Sequence, residues 1–212
     1  MTENVKKNRM RVKPKKVWLI RHTESEANVG GRTSDPAAIP LTAQGRLQAE
    51  QLVAAFIEKP SLIVSSRYLR AKQTAQPVRN KFKRVRYEEW DVHEFTFISP
   101  DRCHDTTKPE REPLVDAYWQ RYAPNYCDGK GAESFSDFMG RVCGALKQLK
   151  EREAAFCAVF SHMQFITAVL WRLEDPSRPI DSKAMKDYQL RLDRNPLPNG
   201  SITEVLLDSI GI

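Results

Sequence analysis

The sequence predicts an α/β fold: a three-layer α/β/α sandwich with a mostly parallel central sheet. Short apolar runs of strand length alternate along the chain with stretches of helical period, and parallel strands need such crossover helices between them. At 212 residues the chain has room for one sizeable core, not two generous ones.

The first run, "VWLI" at residues 17–20, reads as a buried strand. It is followed by "LTAQGRLQAEQLVAAFIEK", where Thr42 suits an N-cap and Ala49, Leu52, Val53 and Phe56 recur at helical spacing. "SLIV" is a second strand; "RAKQTAQPVRNKF" then aligns Ala71, Ala75, Val78 and Phe82 on one helical face, with Pro77 expected to bend that helix or weaken its first turns. A third strand is expected near "KRVRYEE". Residues 95–131 lose periodicity and gather Pro100, Pro109, Pro113 and Pro124 among aromatic and charged residues, so they read as an inserted lid or loop region. Regularity returns with "ESFSDFMGRVCGALKQLKER", amphipathic through Phe135, Phe138, Val142, Ala145 and Leu149, then the strand "AFCAVF" and the helix "QFITAVLWRL". A helix near "SKAMKDYQLRL", a turn at "PNG" and a last strand "ITEVLL" complete the pattern.

Composition narrows the function. The chain is 41% hydrophobic and 29% charged, ordinary for a soluble protein, and no apolar run approaches the roughly 18 residues of a membrane helix. The first residues, "MTENVKKNRMRVKPKK", lack the apolar segment of a secretory signal. Residues 1–16 hold seven Lys or Arg against one Glu, so nearly all of the formal +7 lies in this arm and the body is close to neutral. The arm is expected to be a solvated, disordered tail; it is the sole hint of a nucleic acid or other polyanion as partner. Cys103, Cys127, Cys143 and Cys157 show no CxxC spacing, which fits a reducing cytoplasm. No membrane partner is expected, and an oligomer is left open.

In open α/β sheets ligands sit beyond the carboxyl ends of the strands, and the residues at those ends are chemically coherent. Arg21 and His22 follow the first strand, Ser65, Ser66 and then Arg70 the second, Glu94 the third, Ser161 and His162 the fourth. Taken singly, each has an ordinary structural explanation. Together, arginine forks match phosphate oxygens and a neutral imidazole is a competent nucleophile toward phosphorus. No P-loop, GxGxxG or Asp-rich metal cluster competes, so no cofactor and no metal are expected. His93 should point away from Glu94, and "DRCHDTT" is not read as a metal site, because three adjacent side chains converge poorly on one ion.

The stretch "LIRHTESEAN" resembles the first motif of the histidine phosphatase superfamily, also called phosphoglycerate mutase-like, whose signature is Arg-His-Gly with a second histidine far downstream. "LTAQGRLQAEQL", "VSSRYLRAKQTA", "VHEF", "AESFSDFMGRV" and "VFSHMQFI" continue the resemblance in order, from about Val17 to Leu207. It implies a single domain of this type over 17–212, with His22 as nucleophile, Arg21, Arg70 and His162 as phosphate ligands, Asn28 as a phosphate or substrate contact, and Glu94 as acid and base. Catalysis would then rest on His22, Glu94 and His162. The family's glycines after the two histidines are Thr23 and Met163 here, which puts side chains at two points where substrate range is expected to be set.

Substrate choice is assigned to residues 95–131, where Arg102, Arg111 and Trp119 stand out with several other aromatic and basic residues. The reading favours a metal-independent phosphatase that hydrolyses a small phosphorylated metabolite through a phosphohistidine. A mutase returning phosphate to another hydroxyl, and a non-catalytic phospholigand-binding or polyanion-binding relative, are the alternatives.

Overall fold

The computed structural model describes residues 14–33 and 35–208. Five strands form one sheet: β1 (Lys15–Arg21), β2 (Leu62–Ser66), β3 (Arg86–Trp90), β4 (Phe156–Ser161) and β5 (Ile202–Leu207), in the order β3-β2-β4-β1-β5. β1, β2, β3 and β4 pair in parallel, and β5 closes one edge antiparallel to β1. The helices are α1 (Ala43–Leu52), α2 (Leu69–Lys81), α3 (Pro100–Cys103), α4 (Lys108–Arg121), α5 (Phe135–Glu151), α6 (Met163–Glu174) and α7 (Ser182–Arg194).

The alternation of side chains along a strand divides the core into two layers. Val17, Leu19, Leu62, Val64, Cys157 and Val159 join the larger cluster, with residues of α5, α6 and α7. Ile20, Ile63, Phe156, Ala158 and Phe160 face the other way, onto Phe56 and the Ala75 and Val78 of α2. The three-layer expectation holds.

Thr42 caps α1, its hydroxyl accepting from Gly45 N–H at 2.8 Å. α1 stops at Leu52, and a 3-10 turn over Val53–Ala55 brings Phe56 into the core by another route than the expected continuous helix. α2 passes unbroken through Pro77, its ninth residue. A proline inside a helix costs roughly 3 kcal/mol. Burial of Ala71, Ala75, Pro77 and Val78 on one face offsets it.

Two expectations are corrected. Lys15 and Lys16 belong to β1, not to the arm: Lys15 is buried, its ammonium donating to the carbonyls of Leu149, Lys150 and Arg152 where α5 ends. Residues 1–13 of the arm lie outside the described residues. Residues 95–131 are not aperiodic either, since α3 and α4 occupy much of the span. α4 starts from a capping box formed by Thr107 and Glu110 and accommodates Pro109 in its first turn and Pro113 further along. Its buried residues, Tyr118 and Trp119, lie near its C-terminal end, so no apolar stripe runs its length.

Gly45 gives a test of close packing. Alanine there should gain about 1 kcal/mol in helix propensity, yet its Cβ would stand 1.9 Å from the Glu24 carbonyl oxygen. Overlap with backbone outweighs propensity, so Gly45→Ala should lower stability by about 1–3 kcal/mol, as read by urea denaturation.

Candidate active site

β1 and β4 run side by side with Arg21 opposite Ser161, and His22 N–H donates to Ser161 O at 2.9 Å. The next residue on each chain segment is therefore a histidine, and the rings of His22 and His162 lie 5.1 Å apart. Both are buried.

The hydrogen bonds assign their tautomers. His22 Nδ1 lies 2.8 Å from Thr23 O, an acceptor only, so Nδ1 carries the proton and Nε2 a lone pair. Arg70 Nε donates to that Nε2 at 3.2 Å. Ser66 Oγ accepts from Tyr68 N–H and lies 2.9 Å from His162 Nε2; where Ser66 gives its proton to that nitrogen, the His162 proton is on Nδ1. His162 Nδ1 and Arg21 Nε are buried without a hydrogen-bond partner among the described residues. Such groups need an explanation, and oxygens of an anion would satisfy both.

Arg70 is buried, with the Tyr68 ring 4.9 Å from its guanidinium and Pro36 O accepting from its Nη1 at 2.6 Å. Arg21 Nη1 donates to Leu197 O. Burial lowers the pKa of His22 and His162 well below the ordinary value of 6.5, and the Arg70 guanidinium pushes both further in the same direction. Neutral imidazoles between arginines are the result.

Glu94 follows β3 and sits against the first turn of α6. Its Oε1 accepts from Gln164 N–H at 2.9 Å and Phe95 N–H at 3.4 Å, while Oε2 takes no donor among the described residues. Burial raises its pKa; Arg70 and Arg21 oppose that rise without reversing it. The loop carrying it is clamped from below. Arg141 of α5 donates to Asp91 O at 2.9 Å and His93 O at 2.8 Å, and pairs with Glu133, which in turn accepts from Thr96 N–H at 3.2 Å.

The cavity above this group has a volume of about 180 Å³, with Arg70, Glu94 and Arg111 in its wall. Other sequence candidates fall elsewhere. Trp119 is only 6% exposed and packs against Phe95, Phe97 and Tyr188, so its role is core packing, not contact with a ligand. Arg102 is paired with Asp128 outside the cavity. Met163 opens α6 and packs on the core. Thr23 is fully buried, its hydroxyl 3.2 Å from that of Thr74, and its methyl fits where Gly200, at φ +71°, has no Cβ. The side chain that replaces the family's glycine thus packs away from the cavity wall. Asn28 is exposed, its Oδ1 accepting from Ser25 and Asn199, which leaves its amide protons for a ligand.

Sequence reasoning missed Asn199, whose Nδ2 donates to His22 O at 3.0 Å, and the supporting Tyr68, Thr74, Arg141 and Gln164. "PNG" gave a turn signal but nothing that tied the turn to the strand ahead of His22.

An open sheet with two neutral histidines, two arginines and a protonatable carboxylate at the ends of its parallel strands is built for phosphoryl transfer. The chain belongs to the histidine phosphatase superfamily (branch 1), whose family model matches residues 17–208; it falls among hydrolases acting on phosphoric monoesters. It is 27% identical over 163 residues to the adenosylcobalamin/alpha-ribazole phosphatase of Salmonella typhi, covering 74% of this chain and 79% of that one. It is 31% identical over 150 residues to the human 6-phosphofructo-2-kinase/fructose-2,6-bisphosphatase 4, covering 67% of this chain and 29% of that one. The crystal structure of the alpha-ribazole phosphatase from Shigella flexneri superposes with a TM-score of 0.67 at 22% identity, covering 93% of this chain and 98% of that one. Among the described residues no group of three His, Cys, Asp or Glu is arranged to hold a metal ion, and no helix is long and apolar enough to cross a membrane.

The titrations set a pH window for stability. His22 and His162 titrate well below 6.5 in the fold and His93 at about 4, so below about pH 6.5 the unfolded chain takes up protons that these three refuse when folded. Glu94 acts oppositely above its ordinary value of 4.5, holding a proton that the unfolded chain has lost. Three groups against one decide the sign: stability should fall as pH drops from about 6.5 toward 5. Urea midpoints across that range check it.

Proposed function

We propose that this protein hydrolyses a small phosphomonoester in two steps through a phosphohistidine on His22, without a metal ion. The observation that carries the reading is the fixed tautomer of His22, with Nδ1–H on Thr23 O and the Nε2 lone pair beside Arg70. A phosphate oxygen competing for the Arg70 fork would release that lone pair for attack.

In the first step His22 Nε2 forms a P–N bond as the ester P–O bond breaks, and Glu94 gives its proton to the departing oxygen. Arg21, Arg70 and His162 Nδ1–H receive the charge that spreads over the transferring oxygens. In the second step Glu94 takes a proton from water, the water oxygen attacks phosphorus and the P–N bond breaks. The raised pKa of Glu94 suits a group that must serve in both protonation states. Asn28 lies within the same group of candidate phosphate contacts. The natural substrate is taken to be a small phosphorylated metabolite, and four free cysteines support a reducing cytoplasm as its setting. Mutase chemistry shares the first step; release of inorganic phosphate is what separates the two.

Quenched during turnover, the protein should carry acid-labile, base-stable phosphate on His22, and His22→Ala should abolish it. Activity unaffected in His22→Ala, or lost to a chelator and restored by a divalent metal, would exclude the mechanism. Replacing Arg21 or Arg70 by alanine should cost about a hundredfold or more in rate, as for one preorganised charge-stabilising donor.

Glu94→Gln should slow alkyl phosphates far more than activated aryl phosphates. Arg141→Met should reproduce part of that same leaving-group dependence by loosening the loop, while phosphohistidine still forms from 4-nitrophenyl phosphate.

A further inference from the structure

The cavity wall that carries Arg70 and Glu94 has a distinct chemical character. Eight of its fourteen lining residues are apolar, Ile39, Phe95, Phe97, Ile98 and Val115 among them. Its polar groups are few, and two of them are committed to each other: Tyr68 Oη lies 3.0 Å from Thr96 Oγ1. Two others remain. Arg111 uses Nη1 on Thr106 O at 2.7 Å and Thr106 Oγ1 at 3.0 Å, and forms no ion pair among the described residues, unlike Arg32 with Glu110 or Arg102 with Asp128. Thr33 has a buried hydroxyl without a partner among the described residues. Both meet at one place, because Thr33 N–H donates to the same Thr106 O at 2.9 Å.

We propose that the substrate is a small phosphomonoester whose leaving group is apolar and bears one anionic substituent, received by Arg111 beside Thr33. This rests on the phosphatase reading and adds to it the chemistry of the leaving group. Two observations select that class. A sugar would bring several hydroxyls against an apolar wall, and each one buried without a partner costs roughly 1–3 kcal/mol. An unpaired guanidinium at the one polar pole favours a carboxylate or a second phosphate over a neutral group.

The test compares alcohol leaving groups, so that intrinsic reactivity differs little: benzyl phosphate, 4-carboxybenzyl phosphate and glucose 6-phosphate, with kcat/KM measured for the full chain. Expected is 4-carboxybenzyl above benzyl above glucose 6-phosphate, with about tenfold or more at each step. Arg111→Met should collapse the first ratio toward one, and Arg111→Lys should keep part of it. Glucose 6-phosphate equal to or better than benzyl phosphate would overturn the apolar assignment. A carboxylate preference that survives in Arg111→Met would overturn the anionic one. Labelling of His22 by 4-nitrophenyl phosphate reads the underlying chemistry separately: labelling with the wrong preferences sinks this inference alone, and no labelling with no phosphate release sinks both.

Discussion

The site depends on the parallel pairing of β1 with β4. Register along these strands places Arg21 opposite Ser161, and the bond from His22 N–H to Ser161 O continues the ladder one residue past the strand ends. Because both strands run the same way, whatever follows each emerges at the same edge. Two histidines 140 positions apart in sequence become neighbours whose rings are 5.1 Å apart. A slip of one residue would send one of them to the opposite face. The apolar residues of both strands prevent that slip, because each face is already committed to one of the two core layers.

Burial then determines what those histidines can do. Two arginines beside an imaging pair of exposed histidines would matter little, since water and salt screen such charges. Here His22 and Arg70 are both buried, and the same burial that raises the cost of a charged imidazole strengthens the pull of the guanidinium on any incoming anion. The effects act in one direction on the histidines, keeping them neutral, and in opposition on Glu94, whose desolvation outweighs the attraction of two arginines. An imidazole that stays unprotonated and a carboxyl that can hold its proton follow from one environment acting on groups of opposite charge type.

Much of this was legible in the sequence, and the reasons are specific. The helical repeat of Ala71, Ala75 and Val78, the Thr42 cap and the short runs "VWLI" and "AFCAVF" carry local signals that tertiary packing did not override. α4 was hidden because prolines and charges fill its first half and its buried residues come at one end, although "TKPE" holds the capping box that begins it. Trp119 was misread because an aromatic residue among charges looks the same whether it faces a ligand or the core. Arg141, Asn199 and Thr74 act across tens of residues of chain, and no spacing in a single sequence encodes such partners. Thr23 shows the same limit: its substitution for glycine is intelligible only beside Gly200, far away in the chain and lacking the Cβ that would crowd the threonine methyl.

The clamp on Glu94 does for a loop what the sheet does for the two histidines. His22 and His162 stand on strand ends locked by the sheet, whereas Glu94 lies on a loop that no ladder holds. Arg141 takes the place of that ladder. Its guanidinium donates to three loop carbonyls, those of Asp91, His93 and Glu94, and to the Glu133 carboxylate, and Glu133 N–H donates to Thr96 O at 2.9 Å. The segment from Asp91 to Thr96 is thereby fixed from the α5 side, while Phe95 and Phe97 pack on Tyr118 and Trp119 of α4. The hydrogen bonds that hold Glu94 and its loop come from α5, α6 and Glu133, and none of them involves Arg111 or Val115.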